Sequence, residues 1–263
     1  MLKKPLAIIG NGAIANHIID VYNRGMLDDY ELVAVLGRTE TKTAAAAKKS
    51  RCRACSTIEE LLETKPWIVV EAASVQAVKD HALTIINAGS HFAVLSIGGL
   101  ADDTFRKKVE EACRKNDVKA YLSAGCVGGL DALRTISLMG ASQAEISVMQ
   151  NAEDIRGTAL FTESLISEGV DKCIFKGTAD EAIKMMPTQI NIGIAVALAS
   201  VGTKNTKVIM NTTVKDERDV ANITINAGKA FANIEVGSCP EAQIAGWGMV
   251  ATLRNITSGI TFA

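Results

Sequence analysis

The residues best placed to do chemistry stand near the N-terminus, where Gly10-Asn11-Gly12-Ala13-Ile14-Ala15 reads G-x-G-x-x-A. This is the alanine form of the dinucleotide fingerprint, and each position has a physical job. Gly10 permits the tight turn. Gly12 lets the backbone approach a pyrophosphate with no Cβ in the way. Ala15 keeps the following helix close to its strand. Ala13 and Ile14 open that helix, whose free N–H groups and positive dipole end face the phosphates.

The second strand ends at Leu36-Gly37-Arg38-Thr39, with Lys42 close behind. An NAD site usually has Asp or Glu here to accept from the ribose 2′-OH. A guanidinium and a hydroxyl suit a 2′-phosphate instead, so Arg38 and Thr39 favour NADP, with NAD left open. Glu71-Ala72-Ala73-Ser74 and Ser96-Ile97-Gly98-Gly99 fall at strand C-termini, the edge of a parallel sheet where ligands sit. Small residues such as Ala73 leave room there for ribose and nicotinamide. Ser74 either touches the ligand or caps a helix.

These residues need a scaffold, and the patterning supplies one. Leu6-Ala7-Ile8-Ile9, Leu32 to Leu36, Trp67 to Glu71, His91 to Ser96 and Ala120 to Leu122 read as strands; the longer ones are apolar runs that suit burial on both faces. Helical stretches alternate with them at Ala13 to Arg24, Thr41 to Ser50, a short segment from Thr57, Ser74 to Gly89, and Asp103 to Lys115. Alternating strands and helices mean βαβ units and a doubly wound parallel sheet, a Rossmann domain over residues 1–124. After Gly125 the strands alternate apolar and polar residues, at Ala144 to Gln150, Cys173 to Lys176, Lys207 to Asn211, Ala221 to Asn226 and Ala230 to Val236. Helices are expected at Ala179 to Met186, Asn191 to Ser200 and Ala242 to Asn255. The expected fold class is therefore α/β: a Rossmann domain plus an α+β domain over 125–239, with segment 240–263 packing back on the first domain.

Bulk properties narrow the function. The 263 residues are 48% hydrophobic, ample for a large core. A formal net charge of −1 offers no basic excess for nucleic acid. No apolar run approaches the roughly 20 residues that span a bilayer. Met1-Leu2-Lys3-Lys4-Pro5 leads straight into strand pattern, with no secretory h-region, so a cytoplasmic protein is expected. Six cysteines stand at 52, 55, 113, 126, 173 and 239 and read as reduced thiols. Cys52 and Cys55 form C-x-x-C, but no second ligand pair accompanies them, so no metal site is expected.

The chain resembles the L-aspartate dehydrogenase family. The resemblance is carried by Gly10 to Ile14, Glu71-Ala72-Ala73-Ser74, Leu95 to Asp102, Gly128-Gly129-Leu130-Asp131-Ala132-Leu133, Phe175-Lys176-Gly177-Thr178-Ala179 and Asn191. The block at 128–133 is the most specific; the others are shared more widely among Rossmann enzymes. The resemblance implies NAD(P)-dependent interconversion of L-aspartate with iminosuccinate, and thence oxaloacetate and ammonia. It also implies that the α+β domain over 125–239 is a substrate and dimerisation domain, that the protein is a homodimer, and that coenzyme contacts fall at Cys126, where the family usually has Ala, and at Asn191.

Three departures stand out. The family's catalytic His falls in Asp219-Val220-Ala221-Asn222-Ile223-Thr224-Ile225, at Ala221 or, one residue along, Asn222; no histidine follows His91. Asn222 is taken as the candidate catalytic position, and His17, His81 and His91 as structural. A Lys-Pro element is replaced by Gln150-Asn151-Ala152-Glu153, followed by Asp154, and Asn-Val-Asn by Gln189-Ile190-Asn191. Oxidising an amine needs a proton acceptor, which neutral Asn and Ala are not. A dicarboxylate wants cations, which added acidic residues oppose. The expectation is an oxidoreductase on a small amino or imino acid, aspartate or a relative of it. The alternatives are a nucleotide-binding relative that is not a dehydrogenase, and a dehydrogenase acting on another carbonyl class.

Overall fold

A computed structural model describes residues 2–123, 125–187, 189–215 and 218–262. The chain divides into two compact units, Met1–Gly125 with Ala245–Ala263, and Cys126–Ile244. Positions 1, 124 and 263, which bound the expected domains, lie outside the described residues.

The first unit runs β1 (Lys4–Ile9), α1 (Ala13–Asn23), β2 (Tyr30–Leu36), α2 (Glu40–Ser50), β3 (Arg53–Cys55), α3 (Ile58–Leu62), β4 (Ile68–Glu71), α4 (Val75–Asn87), β5 (His91–Val94), α5 (Asp103–Lys115) and β6 (Ala120–Leu122). Its sheet is parallel, in the order β3-β2-β1-β4-β5-β6. Successive residues Leu6, Ala7 and Ile8, and again Ile68, Val69 and Val70, are fully buried. Burial without alternation means helices cover both faces, which is why these strands are apolar throughout. The order reverses direction between β1 and β4, so the carboxyl ends of those two strands form the switch point at which such sheets bind ligands.

The sequence reading missed β3, whose three residues include exposed Arg53 and Ala54 and so carry no hydrophobic signal. Thr57 caps α3 by accepting from the Glu60 N–H at 3.3 Å, and the Glu60 carboxylate accepts from the Ser56 N–H at 2.7 Å, one residue earlier than a capping box places it. The last helix, numbered α10 below, spans Ile244–Thr257. Its Met249, Val250 and Leu253 enter the same core cluster as Ile8, Ile18 and Tyr30. Tyr30 Oη donates to the Leu253 carbonyl at 2.8 Å, so the ring is buried without an orphaned hydroxyl.

The second unit runs α6 (Leu130–Ser137), β7 (Gln143–Asn151), α7 (Ser164–Ser167), β8 (Lys172–Thr178), α8 (Ala179–Met185), α9 (Asn191–Leu198), β9 (Lys207–Thr213), β10 (Asp219–Asn226) and β11 (Phe231–Ser238), before α10. Its sheet order is β11-β10-β7-β9-β8, antiparallel except for β7 and β9. Alternate residues are buried: Ala144, Ile146 and Val148 on β7, Val208 and Met210 on β9, Ala221, Ile223 and Ile225 on β10. Helices α6, α8 and α9 pack on this sheet. The sequence reading assigned no helix to α6. Its entry is Gly129, in the left-handed region at φ +68°, where a Cβ would stand 2.3 Å from Ile234 Cδ1. A glycine pair reads locally as a break, whereas here one glycine is the cap that lets the helix approach the sheet. Among the described residues, no helix is long and apolar enough to cross a membrane.

Candidate functional site

Gly10 has φ +132°, a conformation that L side chains rarely adopt, and a Cβ there would lie 2.3 Å from the Ala72 carbonyl oxygen. Its N–H donates to Leu36 O at 2.7 Å, and Ala72 N–H donates to Ile9 O at 2.8 Å. The turn is therefore locked between β2 and the segment after β4. Gly12 is different: nothing lies within 4 Å of where its Cβ would be. It is the N-cap of α1, no side chain caps that helix, and its first turn holds no acidic residue. Open space over uncapped N–H groups at the head of an 11-residue helix fits a pyrophosphate. Ala15 is fully buried against the turn, its Cβ 3.3 Å from the Gly10 Cβ position.

Asn11, the variable residue between the glycines, ties this turn to the next. Its Nδ2 donates to Thr39 O and Thr43 Oγ1, both at 3.0 Å. Thr43 Oγ1 in turn donates to Gly37 O at 3.2 Å and Thr39 O at 3.0 Å. The segment carrying Arg38 and Thr39 is thus held by two buried or half-buried polar side chains. Arg38 is exposed, and among the described residues no carboxylate pairs with it. Thr39 is the N-cap of α2 but makes no side-chain cap bond, so its hydroxyl is not committed to the helix.

A cleft of about 530 Å³ joins these parts. Gly10, Gly12, Arg38, Ala73 and Ser74 line it together, so five of the residues singled out in the sequence share one surface. Ser74 also caps α4, its Oγ accepting from the Ala77 N–H at 3.1 Å. One wall was not foreseen. Gln76, Ala77, Asp80 and His81 form a single face of α4, while Ser56, Thr57 and Glu59 come from the start of α3. The spacing 76, 77, 80, 81 is a helical face, and that periodicity is the signal that exposes it. Gly99, read as room for ligand, is small for another reason: a Cβ there would lie 2.5 Å from Val78 Cβ. It allows close packing on α4.

Glu71 ends β4 and is completely buried. Its Oε1 accepts from the N–H groups of Ala73 at 2.7 Å and Ser74 at 2.8 Å and from Ser96 Oγ at 2.9 Å; its Oε2 accepts from the Ser96 N–H at 2.9 Å. A buried carboxylate is tolerable only when bonded this fully.

Ala13 and Ile14 open α1 in the first unit and, like Thr39, are not among the residues that line this cleft; the other predicted residues lie in the second unit. Cys126 is half-buried in a turn at its start, and Asn191 is the first residue of α9. On β10, Ala221 is buried opposite Val148 and Val236, whereas Asn222 is exposed opposite Ser147 and Glu235. The one-residue shift left open by the sequence is therefore a choice between two faces of the sheet. Asp219, two residues from Ala221 along the strand, has its carboxyl pushed up by burial and then by Asp154. Glu153 is paired with Arg156 at 2.8 Å, and this guanidinium holds its carboxyl below the usual range. Arg156 also pairs with Glu163 at 2.7 Å, so one guanidinium serves two carboxylates and the cluster keeps a net negative charge. Gln150 and Thr212 are neighbours on β7 and β9, and both are buried. Among the described residues, Gln150 Nε2 and Thr212 Oγ1 have no hydrogen-bond partner. Orphaned groups of this kind are rare in a folded protein and call for a ligand or an ordered water.

The histidines are spread through the first unit. His17 stacks edge-on against Trp247, its ring centroid 4.9 Å away, and burial, then Arg24, lowers its pKa. His91 Nδ1 accepts from the Lys119 N–H at 3.0 Å; burial first, then Lys4 and Lys119, lowers its pKa. Burial pushes the Cys52 thiol up to about 11 and raises Cys55 as well. Among the described residues no group of His, Cys, Asp and Glu is arranged to hold a metal.

Comparison with known proteins agrees with this geometry. Residues 10–123 match the family described as "Homoserine dehydrogenase, NAD binding domain", and residues 131–256 match "Aspartate dehydrogenase, C-terminal". The chain is 30% identical to the L-aspartate dehydrogenase of Methanosarcina mazei over 99% of its own length and 98% of the relative's. It is 28% identical to that of Methanosarcina barkeri, with the same coverage. In fold it is similar to the crystal structure of aspartate dehydrogenase from Thermotoga maritima, with a TM-score of 0.77 over the whole of both chains at 20% identity. A hyperthermophilic archaeal homoserine dehydrogenase solved in complex with NADPH shares the architecture at a TM-score of 0.60, 13% identity, and coverage of 94% of this chain and 95% of that one. Likeness at 30% identity along the full chain, together with the glycine turn and the two units that carry it, means that the chain belongs to the L-aspartate dehydrogenase family.

Proposed function

We propose that the protein is an NAD(P)-dependent dehydrogenase that oxidises the C–NH₂ carbon of a small amino acid, L-aspartate or a close analogue. The observation that carries this reading is the uncapped, open N-terminus of α1 behind Gly10 and Gly12, in a chain whose curated relatives over its full length are L-aspartate dehydrogenases. Gly10, Gly12, Ala13, Ile14, Ala73 and Ser74 hold the coenzyme and fully buried Ala15 packs the helix behind them, with Cys126 and Asn191 carried in by the family resemblance. The coenzyme supplies the hydride acceptor. The substrate's C–H bond breaks as the hydride leaves, the amine becomes an imine and gives up a proton, and water then releases ammonia and the oxo acid.

The coenzyme is NADP in this reading. Arg38 and Thr39 support it, since both follow β2, Arg38 lines the cleft and, among the described residues, no carboxylate pairs with it. On the substrate side, the orphaned Gln150 Nε2 and Thr212 Oγ1 supply neutral hydrogen-bonding groups for a substrate oxygen. Asn222 orients by hydrogen bonding and does not titrate. The protein acts as a homodimer, and on no nucleic acid or membrane.

A spectrophotometric screen tests the whole reading: purified protein with aspartate and other amino acids, or with oxaloacetate and ammonia, and both coenzymes. Turnover of an amino acid is expected. Nucleotide binding without turnover of any candidate would instead support a binding protein, the reading to which the absence of a titratable group at Ala221 and Asn222 points. For coenzyme choice, Arg38→Ala is expected to lower the NADP-to-NAD affinity ratio at least about tenfold, the scale of one charge-assisted phosphate contact. An unchanged ratio removes Arg38 from the site.

A further inference from the structure

This inference rests on the coenzyme reading above and concerns Glu71. The residue ends β4 at the switch point of the sheet, two residues before Ala73, which lines the cleft. All four of its partners are neutral donors: the Ala73 and Ser74 N–H groups on the segment after β4, and the N–H and hydroxyl of Ser96 after β5. Both oxygens accept, which is the bonding pattern of a carboxylate. Among the described residues no Lys, Arg or His forms an ion pair with it. The bonds tie two ligand-edge segments together, but they leave one full negative charge inside the protein with no counter-ion.

A buried, uncompensated charge acts over a longer range than an exposed one, because little water screens it. The nicotinamide ring is cationic when oxidised and neutral when reduced. In doubly wound sheets the ligand lies outside the carboxyl ends of the strands at the switch point, where Glu71 stands. We propose that Glu71 is a positioning residue that also sets the redox preference of the site, its charge favouring the oxidised coenzyme over the reduced one. When hydride moves from the substrate carbon to the ring, the ring's positive charge is lost and with it the attraction to Glu71. The reduced form is then released more readily.

The test is isothermal titration of oxidised and reduced coenzyme, NADP⁺ against NADPH and NAD⁺ against NADH, into the wild-type chain and two variants. Glu71→Gln keeps the shape and an acceptor for the three Oε1 bonds but removes the charge. Oxidised coenzyme is expected to bind about tenfold more weakly and reduced coenzyme within about twofold, the scale on which one nearby charge shifts a charge-dependent equilibrium. Glu71→Asp keeps the charge and shortens the reach, so both affinities fall together and their ratio holds. Equal weakening of both forms in Glu71→Gln overturns the proposal and leaves Glu71 a purely structural clamp. If Glu71→Gln does not fold, a third variant decides: Ser96→Ala removes the hydroxyl donor to Oε1 and keeps the charge, so the preference for oxidised coenzyme is expected to rise, and an unchanged ratio refutes the role of charge. A wild-type protein that binds neither form defeats the coenzyme reading and this inference with it.

Discussion

In the first unit β1 and β4 are buried residue after residue, while in the second β7, β9 and β10 bury every other residue. The difference decides how each unit offers groups to a ligand. A strand covered on both faces has no side chain to spare along its length, so its ligand chemistry gathers at its carboxyl end. There it is done largely by backbone: the Gly10 turn, the open α1 N-terminus, and the N–H groups that Glu71 organises. A half-covered strand instead presents side chains along its length, and the face each one occupies depends on register. On the function proposed above, coenzyme handling is a matter of backbone geometry, and substrate handling of which face of β10 and which end of β7 a particular side chain reaches.

The sharpest way to break that contrast is to alter the backbone of the first unit. Gly10→Ala forces a Cβ onto the Ala72 carbonyl at a φ that alanine avoids. A loss of about 3 kcal/mol or more in stability is expected, with coenzyme binding abolished. Chemical denaturation and coenzyme titration measure the two effects, and a variant as stable as the parent would refute the account of the turn.

Next come two side chains on opposite faces of the second sheet. Gln150→Leu fills the space of a buried, unpartnered amide with apolar atoms. Stability is expected to hold or rise, while KM for the amino acid rises about tenfold, roughly 1.4 kcal/mol. Asn222→Ala is expected to lower kcat with little effect on stability, since Asn222 is exposed. If Asn222→Ala leaves kcat unchanged and Gln150→Leu alone impairs turnover, the chemistry lies on the covered face, and Asn222 drops out of the site.

A smaller effect separates the units by pH. His91 and His17 have pKa values lowered by burial from 6.5, so the folded state prefers their neutral forms. Their stabilising contribution is therefore complete above pH 6.5 and is lost as pH falls from there through the lowered folded values. Protonating His91 Nδ1 also removes its acceptor for the Lys119 N–H. The melting temperature is expected to fall by about 2–4 °C on going from about pH 7.5 to about 5.5, and by less in His91→Gln. Identical pH slopes in scanning calorimetry for the two proteins would exclude His91 as a cause.

The smallest effect is chemical. Cys52, Cys55 and Cys113 all have thiols raised by burial, while Cys173 and Cys239 are exposed. Brief iodoacetamide treatment of the native protein is expected to label Cys173 and Cys239 and spare the other three, as read by peptide mass spectrometry. Rapid labelling of Cys52 would contradict its packed environment.

Much of this architecture was legible beforehand, and the exceptions share a cause. The long apolar strands and amphipathic helices of the first unit announce themselves because burial leaves a periodic record. β3 leaves none, being three residues long and mostly exposed. α6 was hidden because Gly128-Gly129 reads locally as a break, while the contact that requires glycine, Ile234, lies more than a hundred residues further on. The place of His81 in a helix reads as structural, and the fold adds that it lines the cleft beside Gly10 and Gly12. Glu153 reads in the sequence as one added negative charge, and the guanidinium of Arg156 that it shares with Glu163 becomes visible only in three dimensions.

By itself the sequence determined the parallel βαβ sheet, the coenzyme class and the glycine turn, because these rest on local rules: hydrophobic period, positive φ and the free N–H groups of a helix end. The tertiary structure decided which side chains meet. It put Glu71 under Ser96, tied Asn11 to Thr39 and, among the described residues, left Gln150 Nε2 and Thr212 Oγ1 without hydrogen-bond partners. Each of these is a contact or a register between residues distant in the chain, and no local pattern encodes it.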